Sequence, residues 1–367
     1  MLAVFVVSMI SFHKSQSLLN KMSLYTLCIK PIFFRFNPEK VHDFFTTTGE
    51  FLGNHKISRD LVDLVYNYKS DDKSKTIDGI YYRTPILLSA GFDYNAHLTR
   101  ILPHIGLGGV EVGSVTARAS DGNPSPQLQR LPKSKGVVVN KGLKNEGVNK
   151  IIERLKNTKR EKDFVIGVSI ARTNDQKSAT TEEGIEDYAY SFKRLNEENI
   201  GDYYTLNISC PNVFGGESFA NPNLLEQLLD RLEKIECKKP TYIKMPVNLP
   251  WEEFKKVVDV AIDKRVNGLV IGNLNKDYSL IDHQEEAPKE YIGGISGKSC
   301  FELSNNLIRK TREHYGKRFT IFGVGGVMSP RDAKAKFEAG ADLTQLITGL
   351  IFEGPGIVGR ILREIPQ

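Results

Sequence analysis

The stretch "LNISCPNVFGG", residues 206–216, ends an apolar run with Asn207 and Asn212 bracketing Ser209, Cys210 and Pro211. An asparagine side chain offers a donor and an acceptor together. Asn207, Asn212 and, further along, Asn273 are therefore candidates to clamp the imide or carboxylate edge of a small planar ring. Cys210 sits on the loop after the run and can act as base or nucleophile if its thiol is activated. Without activation it is a small buried hydrophobe, the reading given to Cys237 and Cys300. Lys244 lies in "YIKMP", a run otherwise apolar. Burying an ammonium without a partner is costly, so Lys244 either pairs with a carboxylate or supplies positive charge to a cofactor that gains electrons.

Two glycine-bearing segments add a second kind of chemistry. "FGVGGV" (322–327) and "QLITGL" (345–350) each end an apolar run and lead into a helical pattern. Glycines there either permit tight turns or let backbone N–H groups approach a phosphate.

These residues need a scaffold that gathers them. Short apolar, β-rich runs recur: "PILLSAG", "GGVEVGSV", "FVIGVSI", "YYTLNIS", "TYIKMPV", "NGLVIGN", "TIFGVGGV" and "LTQLITG". Between them lie segments of helical period, among them residues 224–235, 251–265 and 300–315. Eight continuous apolar strands alternating with helices predict an α/β fold, a (β/α)8 TIM barrel. An open doubly wound sheet would carry its glycine fingerprint after the first strand, and "SAGFDYNA" is not one. In such a barrel the chemistry sits at the carboxyl ends of the strands. The candidates are thus Ala90, Gly91, Ser114, Ser169, Asn207 to Asn212, Lys244, Gly272, Asn273, Gly325, Gly326, Thr348 and Gly349.

Ahead of the barrel, residues 23–75 read as short amphipathic helices, the first broken by Pro31 and the next capped by Asn37 with Pro38 at its first position. Their Phe and Leu content is either ordinary packing or a face that meets lipid. The expected organisation is a leader, an anchor or, with Met22 as a second start, an over-called start over residues 1–21, then a helical extension over 22–75 and the barrel over 76–367. "MLAVFVVSMISF" is too short for an ordinary membrane span and lacks a basic start and a cleavage site. The 367 residues are 40% hydrophobic and 26% charged with a net charge of +6. Basic and acidic residues interleave, so no nucleic-acid partner is expected. Four widely spaced cysteines indicate neither a metal site nor a disulfide framework and fit a reducing compartment.

Taken in order, "FFRFNPEKVHDF", "GSVTARASDGNPSPQLQRLP", "LNISCPN", "YIKMP", "GGISGK", "GVGGV" and "ITGLIFEGPG" resemble the dihydroorotate dehydrogenase family from Met22 to the C-terminus. The resemblance implies an FMN-containing barrel that oxidises dihydroorotate to orotate in pyrimidine biosynthesis. The helical extension is similar to that of the membrane-associated, quinone-reducing class. It would make that segment the quinone entry and a peripheral membrane contact, with Arg130 on the quinone path; if the helices only pack, the chain is cytoplasmic. Carried over residue by residue, FMN would meet Ala90, Gly91, Ser114, Ser169, Asn207, Lys244, Gly272, Gly297, Gly325, Gly326, Ile347, Thr348 and Gly349. The substrate would meet Asn207, Asn212 and Asn273, with Cys210 as base and Lys244 stabilising charge on the reduced flavin.

This chain departs from the family pattern at several substrate positions. The quinone class usually has serine where Cys210 stands. Tyr94 replaces the lysine after "GFD", and Leu274 replaces a threonine or serine. Val139 occupies the place of a substrate asparagine, which Asn140 recovers only by a one-residue slip, and Lys141 is a candidate replacement cation. Each hydrogen bond lost to a charged substrate costs about 1.5–3 kcal/mol. The alternatives are an FMN-dependent paralogue acting on another cyclic amide or enone, and a non-redox isomerase or lyase using the phosphate seat.

Overall fold

The computed structural model describes residues 24–68, 71–209, 218–283, 286–287 and 293–365. Cys210, Asn212 and the expected leader over residues 1–21 lie outside the described residues.

Every one of the eight apolar runs folds as a barrel strand: β1 (Ile86–Leu88), β2 (Gly109–Val115), β3 (Val165–Ile170), β4 (Tyr203–Asn207), β5 (Thr241–Met245), β6 (Gly268–Ile271), β7 (Thr320–Val324) and β8 (Leu343–Leu346). They pair in parallel in chain order and close when β8 meets β1, with Thr344 opposite Ile86. Both faces of each strand are covered, which is why the runs read as continuous apolar stretches rather than alternating ones.

The barrel interior is built in layers because inward positions recur every second residue. The lowest layer is apolar and aromatic: Leu87, Val165, Tyr203, Tyr242, Val270, Phe322 and Leu343, plugged by Tyr82. Gly167 of β3 must be glycine here, since a Cβ would lie 2.0 Å from Cζ of Tyr203. One step up, the buried Glu111 accepts hydrogen bonds from Thr205 Oγ1 (2.9 Å) and Gln345 Nε2 (3.1 Å). Two residues on from Leu87 and Tyr242, and four on from Val165 and Tyr203, the inward positions Ser89, Lys244, Ser169 and Asn207 reach the mouth. The period that fills the core therefore also delivers the candidate site.

The outer layer comprises α3 (Val148–Asn157), α4 (Thr181–Glu197), α5 (Pro222–Glu233), α6 (Trp251–Val260), α7 (Phe301–Tyr315), α8 (Pro330–Glu338), α9 (Thr348–Glu353) and α10 (Gly356–Glu364). The periodic segment at 251–265 stays helical only to Val260. Two small antiparallel sheets were not foreseen. A hairpin (Lys75–Ile77, Ile80–Tyr82) lies at the barrel base, where Tyr242 Oη donates to Asp78 at 2.7 Å. A three-stranded sheet (Leu128–Leu131, Gly136–Val139, Gly294–Gly297) stands beside the mouth.

Ahead of the barrel, α1 (Pro38–Asn54) starts where the sequence indicates. The Asn37 side chain accepts from the backbone N–H groups of Glu39 (2.9 Å) and Lys40 (3.1 Å), and α2 (Lys56–Tyr66) follows. Pro31 does not break the preceding turn. It sits in the short helix Lys30–Phe33, which continues directly from the helical turn Tyr25–Ile29.

Candidate active site

The strand ends converge on a hydrogen-bonded polar floor. Asn207 Nδ2 donates to Ser114 Oγ at 2.9 Å, and Ser114 and Ser169 share a hydroxyl contact of 2.8 Å. Asn273, just beyond β6, donates from Nδ2 to Ser209 Oγ at 2.6 Å. Three of these groups, Ser114, Ser169 and Asn207, are buried, so their positions are fixed before any ligand arrives. Lys244, only 5% exposed, directs its ammonium to the Ser89 hydroxyl at 3.5 Å, linking β5 to the end of β1. Beside them Thr348 Oγ1 donates to Ser296 Oγ at 2.9 Å.

Above the floor lies a cavity of about 450 Å³. It brings together Ala90, Gly91, Tyr94, Ser114, Asn207, Lys244, Asn273 and Ile347, and includes Val139, Lys141 and Leu274. Gly91 has φ +109, and a Cβ there would meet only Ile347 Cδ1 at 3.8 Å. The absent side chain thus keeps a flat slot open. Ser169, Gly272, Gly297, Gly325, Gly326, Thr348 and Gly349 do not line this cavity. Asn140 does not line it either, because its Oδ1 accepts from Asn123 Nδ2 at 2.8 Å and serves to hold its own loop.

The same cavity continues between the N-terminal helices, where Phe33, Val41, His42, Phe45, Leu52, Val62 and Tyr66 line it. Arg130 borders this arm. Its guanidinium donates to Phe36 O at 2.8 Å and lies 4.8 Å from the Phe34 ring centroid. Tyr25 Oη donates to Ile351 O at 2.6 Å, tying the first turn to the end of α9.

His42 is a component the sequence reading missed, and it packs beside Lys141, which that reading offered as a replacement cation. His42 stacks on Tyr94 at 5.5 Å and 10°, and its Nε2 is 2.9 Å from Phe92 O. Burial, reinforced by the Lys141 charge, draws its pKa down to about 4, so the imidazole is neutral near pH 7. The Lys141 ammonium lies 4.1 Å from the Tyr94 ring centroid. The available signal was a lone histidine on a Phe-rich amphipathic helix. Cys300 behaves as the sequence suggests: it is buried, and burial pushes its thiol up to about 11.

Outside the cavity the helical extension is unusually apolar. Among the described residues, ten of the thirteen exposed large hydrophobic residues fall between Leu24 and Val65, including Phe51 at 56%, Ile57 at 77% and Leu64 at 80% exposure. Among the described residues no helix is long and apolar enough to cross a membrane, and no cluster could hold a metal ion.

The family model described as dihydroorotate dehydrogenase matches residues 73–367. This chain belongs to the dihydroorotate dehydrogenase family. A dihydroorotate dehydrogenase (quinone) from Christiangramia forsetii is 32% identical over 349 residues, covering 93% of this chain and 98% of the relative. One from Trichormus variabilis is 31% identical over 357 residues, covering 93% of each. Among solved structures, the DHODH of Eimeria tenella in complex with ferulenol superposes with a TM-score of 0.79 over 90% of both chains, at 23% identity. That likeness supports the barrel fold, and the family is one of flavin-dependent oxidoreductases.

Proposed function

We propose that this chain is a dihydroorotate dehydrogenase that holds FMN at the barrel mouth, oxidises dihydroorotate to orotate and passes the electrons to a quinone. The observation that carries this reading is the single cavity joining the polar floor of Ser114, Asn207, Lys244 and Asn273 to an apolar arm between α1 and α2. A small polar ring and a long apolar acceptor need such a two-ended site. Relatives named as quinone enzymes along nearly their whole length support it.

The residues present fit a flavin. The slot beside Gly91 admits a planar ring, and the buried hydroxyl of Ser114 and amide of Asn207 line it, with Ser169 behind them hydrogen-bonded to Ser114. Gly325 and Gly326, both at positive φ, lie where β7 leaves the barrel. Gly297, Thr348 and Gly349 lie close by, and together these five would seat the phosphate, with Ala90, Gly272 and Ile347 flanking the ring. Bound FMN supplies the two-electron acceptor.

The chain's own groups do the rest. Asn207 and Asn273, with Asn212 outside the described residues, hold the polar edge of the substrate ring. Cys210, likewise outside them, is the proposed base: it takes the proton next to the ring carbonyl as hydride leaves the adjacent carbon. Lys244 supplies fixed positive charge where negative charge develops. Asn140, turned to Asn123, serves the loop rather than the substrate.

A helical extension over residues 22–75 admits the quinone and rests its exposed apolar face on a membrane surface, which gives peripheral attachment. The barrel over 76–367 does the chemistry. The test is steady-state turnover of the purified, flavin-loaded protein. Dihydroorotate should yield orotate in equal amount to the quinone consumed, with fumarate and NAD+ ineffective in its place. Orotate formation with fumarate or NAD+ but not quinone would reject the acceptor assignment.

A further inference from the structure

The charge inventory of the cavity is one-sided. Among the described residues that line it there is no Asp or Glu, whereas Arg130, Lys141, Lys144 and Lys244 all reach it. Arg130 is engaged by Phe36 O and the Phe34 ring, and Lys244 by the Ser89 hydroxyl. Lys141 and the exposed Lys144 differ, in that neither ammonium makes a hydrogen bond or ion pair with a described residue, and of the two only Lys141 is held in the cavity, 4.1 Å from the Tyr94 ring centroid.

Burial alone would disfavour such a cation, and it does draw the Lys141 ammonium down to about 8. The acidic groups facing it are Asp43 and Glu39 on α1, which favour its charge, while Lys144 on its own loop opposes it. Glu39 is committed elsewhere, accepting from Gln127 N at 2.7 Å and Ser125 Oγ at 2.8 Å. His42 is neutral above about pH 4.

The loop carrying Lys141 is held on both sides. Asn123 Nδ2 donates to Asn140 Oδ1 at 2.8 Å, and Asn174 Nδ2 donates to Gly142 O at 3.0 Å. A pinned backbone, a platform ring and an ammonium left for an incoming partner form a preorganised anion site.

On the reading that this site accepts dihydroorotate, we propose that Lys141 binds the carboxylate of the substrate ring, with Tyr94 as the platform that holds the ammonium in place. Lys141 is thereby the residue that makes the site select a ring acid over the uncharged ring.

The experiment is calorimetric titration of the flavin-loaded protein with orotate and with uracil, which lacks the carboxylate. Lys141→Met is expected to weaken orotate about ten- to a hundredfold while leaving uracil affinity and flavin content unchanged, and Lys141→Arg to restore most of the orotate affinity. Lys141→Gln, closer in shape and still polar, should repeat the Met result and serves if Lys141→Met fails to fold. Orotate binding in these variants equal to wild type would overturn the assignment, as would an equal loss of orotate and uracil. A wild-type flavin that stays oxidised with dihydroorotate, alongside orotate binding that still requires Lys141, would retire the substrate reading and keep the carboxylate anchor.

Discussion

Replacing Lys244 by Met removes a charge and little volume from the top of β5. The side chain is 5% exposed, so solvent screens its ammonium weakly. At ~4 Å and an effective dielectric constant near 20, one unit charge is worth about 4 kcal/mol to a ring that becomes more negative. For a two-electron couple, in which 30 mV corresponds to about 1.4 kcal/mol, the loss lowers the midpoint potential by roughly 90 mV. If half of that charge has developed in the transition state, the barrier rises about 2 kcal/mol and flavin reduction slows about thirtyfold. Dye-equilibration potentiometry and anaerobic stopped-flow absorbance measure the two quantities on the same sample. Because Lys244 also contacts Ser89 at 3.5 Å, Ser89→Ala separates charge from architecture and should leave the potential within about 10 mV of wild type. A Lys244→Met potential equal to wild type, or an equal drop in Ser89→Ala, would refute the electrostatic role.

Further outcomes follow from the same geometry. Leu52→Trp fills the apolar arm of the cavity; it should cut kcat/KM for quinone at least about tenfold and leave anaerobic reduction by dihydroorotate within about twofold. An equal effect on both half-reactions would mean that the arm is not the quinone path. Phe51→Glu combined with Leu64→Glu, at positions 56% and 80% exposed, should reduce co-sedimentation with phospholipid vesicles at least about tenfold, since each buried apolar side chain contributes about 1.5–3 kcal/mol; undiminished sedimentation would remove these helices from the lipid contact. The Lys141 ammonium, drawn down to about 8 chiefly by burial, is charged below that value. Orotate affinity should therefore be full at lower pH and fall as pH rises through about 8, with the midpoint displaced upward by the bound carboxylate. Lys141→Met should show a flat profile over the same window, and a profile shared by both proteins would exclude Lys141 as the titrating group.

How much of this was legible in the chain depended on burial. The barrel strands announced themselves because both of their faces are covered, so the runs around Val168, Leu206 and Ile271 are apolar throughout. The accessory strand Leu128–Leu131 is half-exposed and reads "LQRL", with no alternation long enough to stand out. Asn207 and Lys244 could be singled out as polar residues at the ends of apolar runs, where the barrel's period places them at the mouth. The His42, Tyr94 and Lys141 assembly was harder. Its members come from a helix and two loops far apart in sequence, and only the packing of α1 against the barrel mouth brings them into contact. Asn140 shows the converse: a one-residue slip from Val139 offered it as a substrate ligand, and the fold turns it to Asn123.

On the proposed mechanism, substrate electrons enter a flavin at this barrel mouth. Anaerobic titration of the flavin-loaded protein with dihydroorotate tests it most directly. One equivalent should bleach the flavin's visible band and leave one equivalent of orotate, and added quinone should restore the colour. A flavin that dithionite bleaches but dihydroorotate leaves yellow at any concentration would contradict the account.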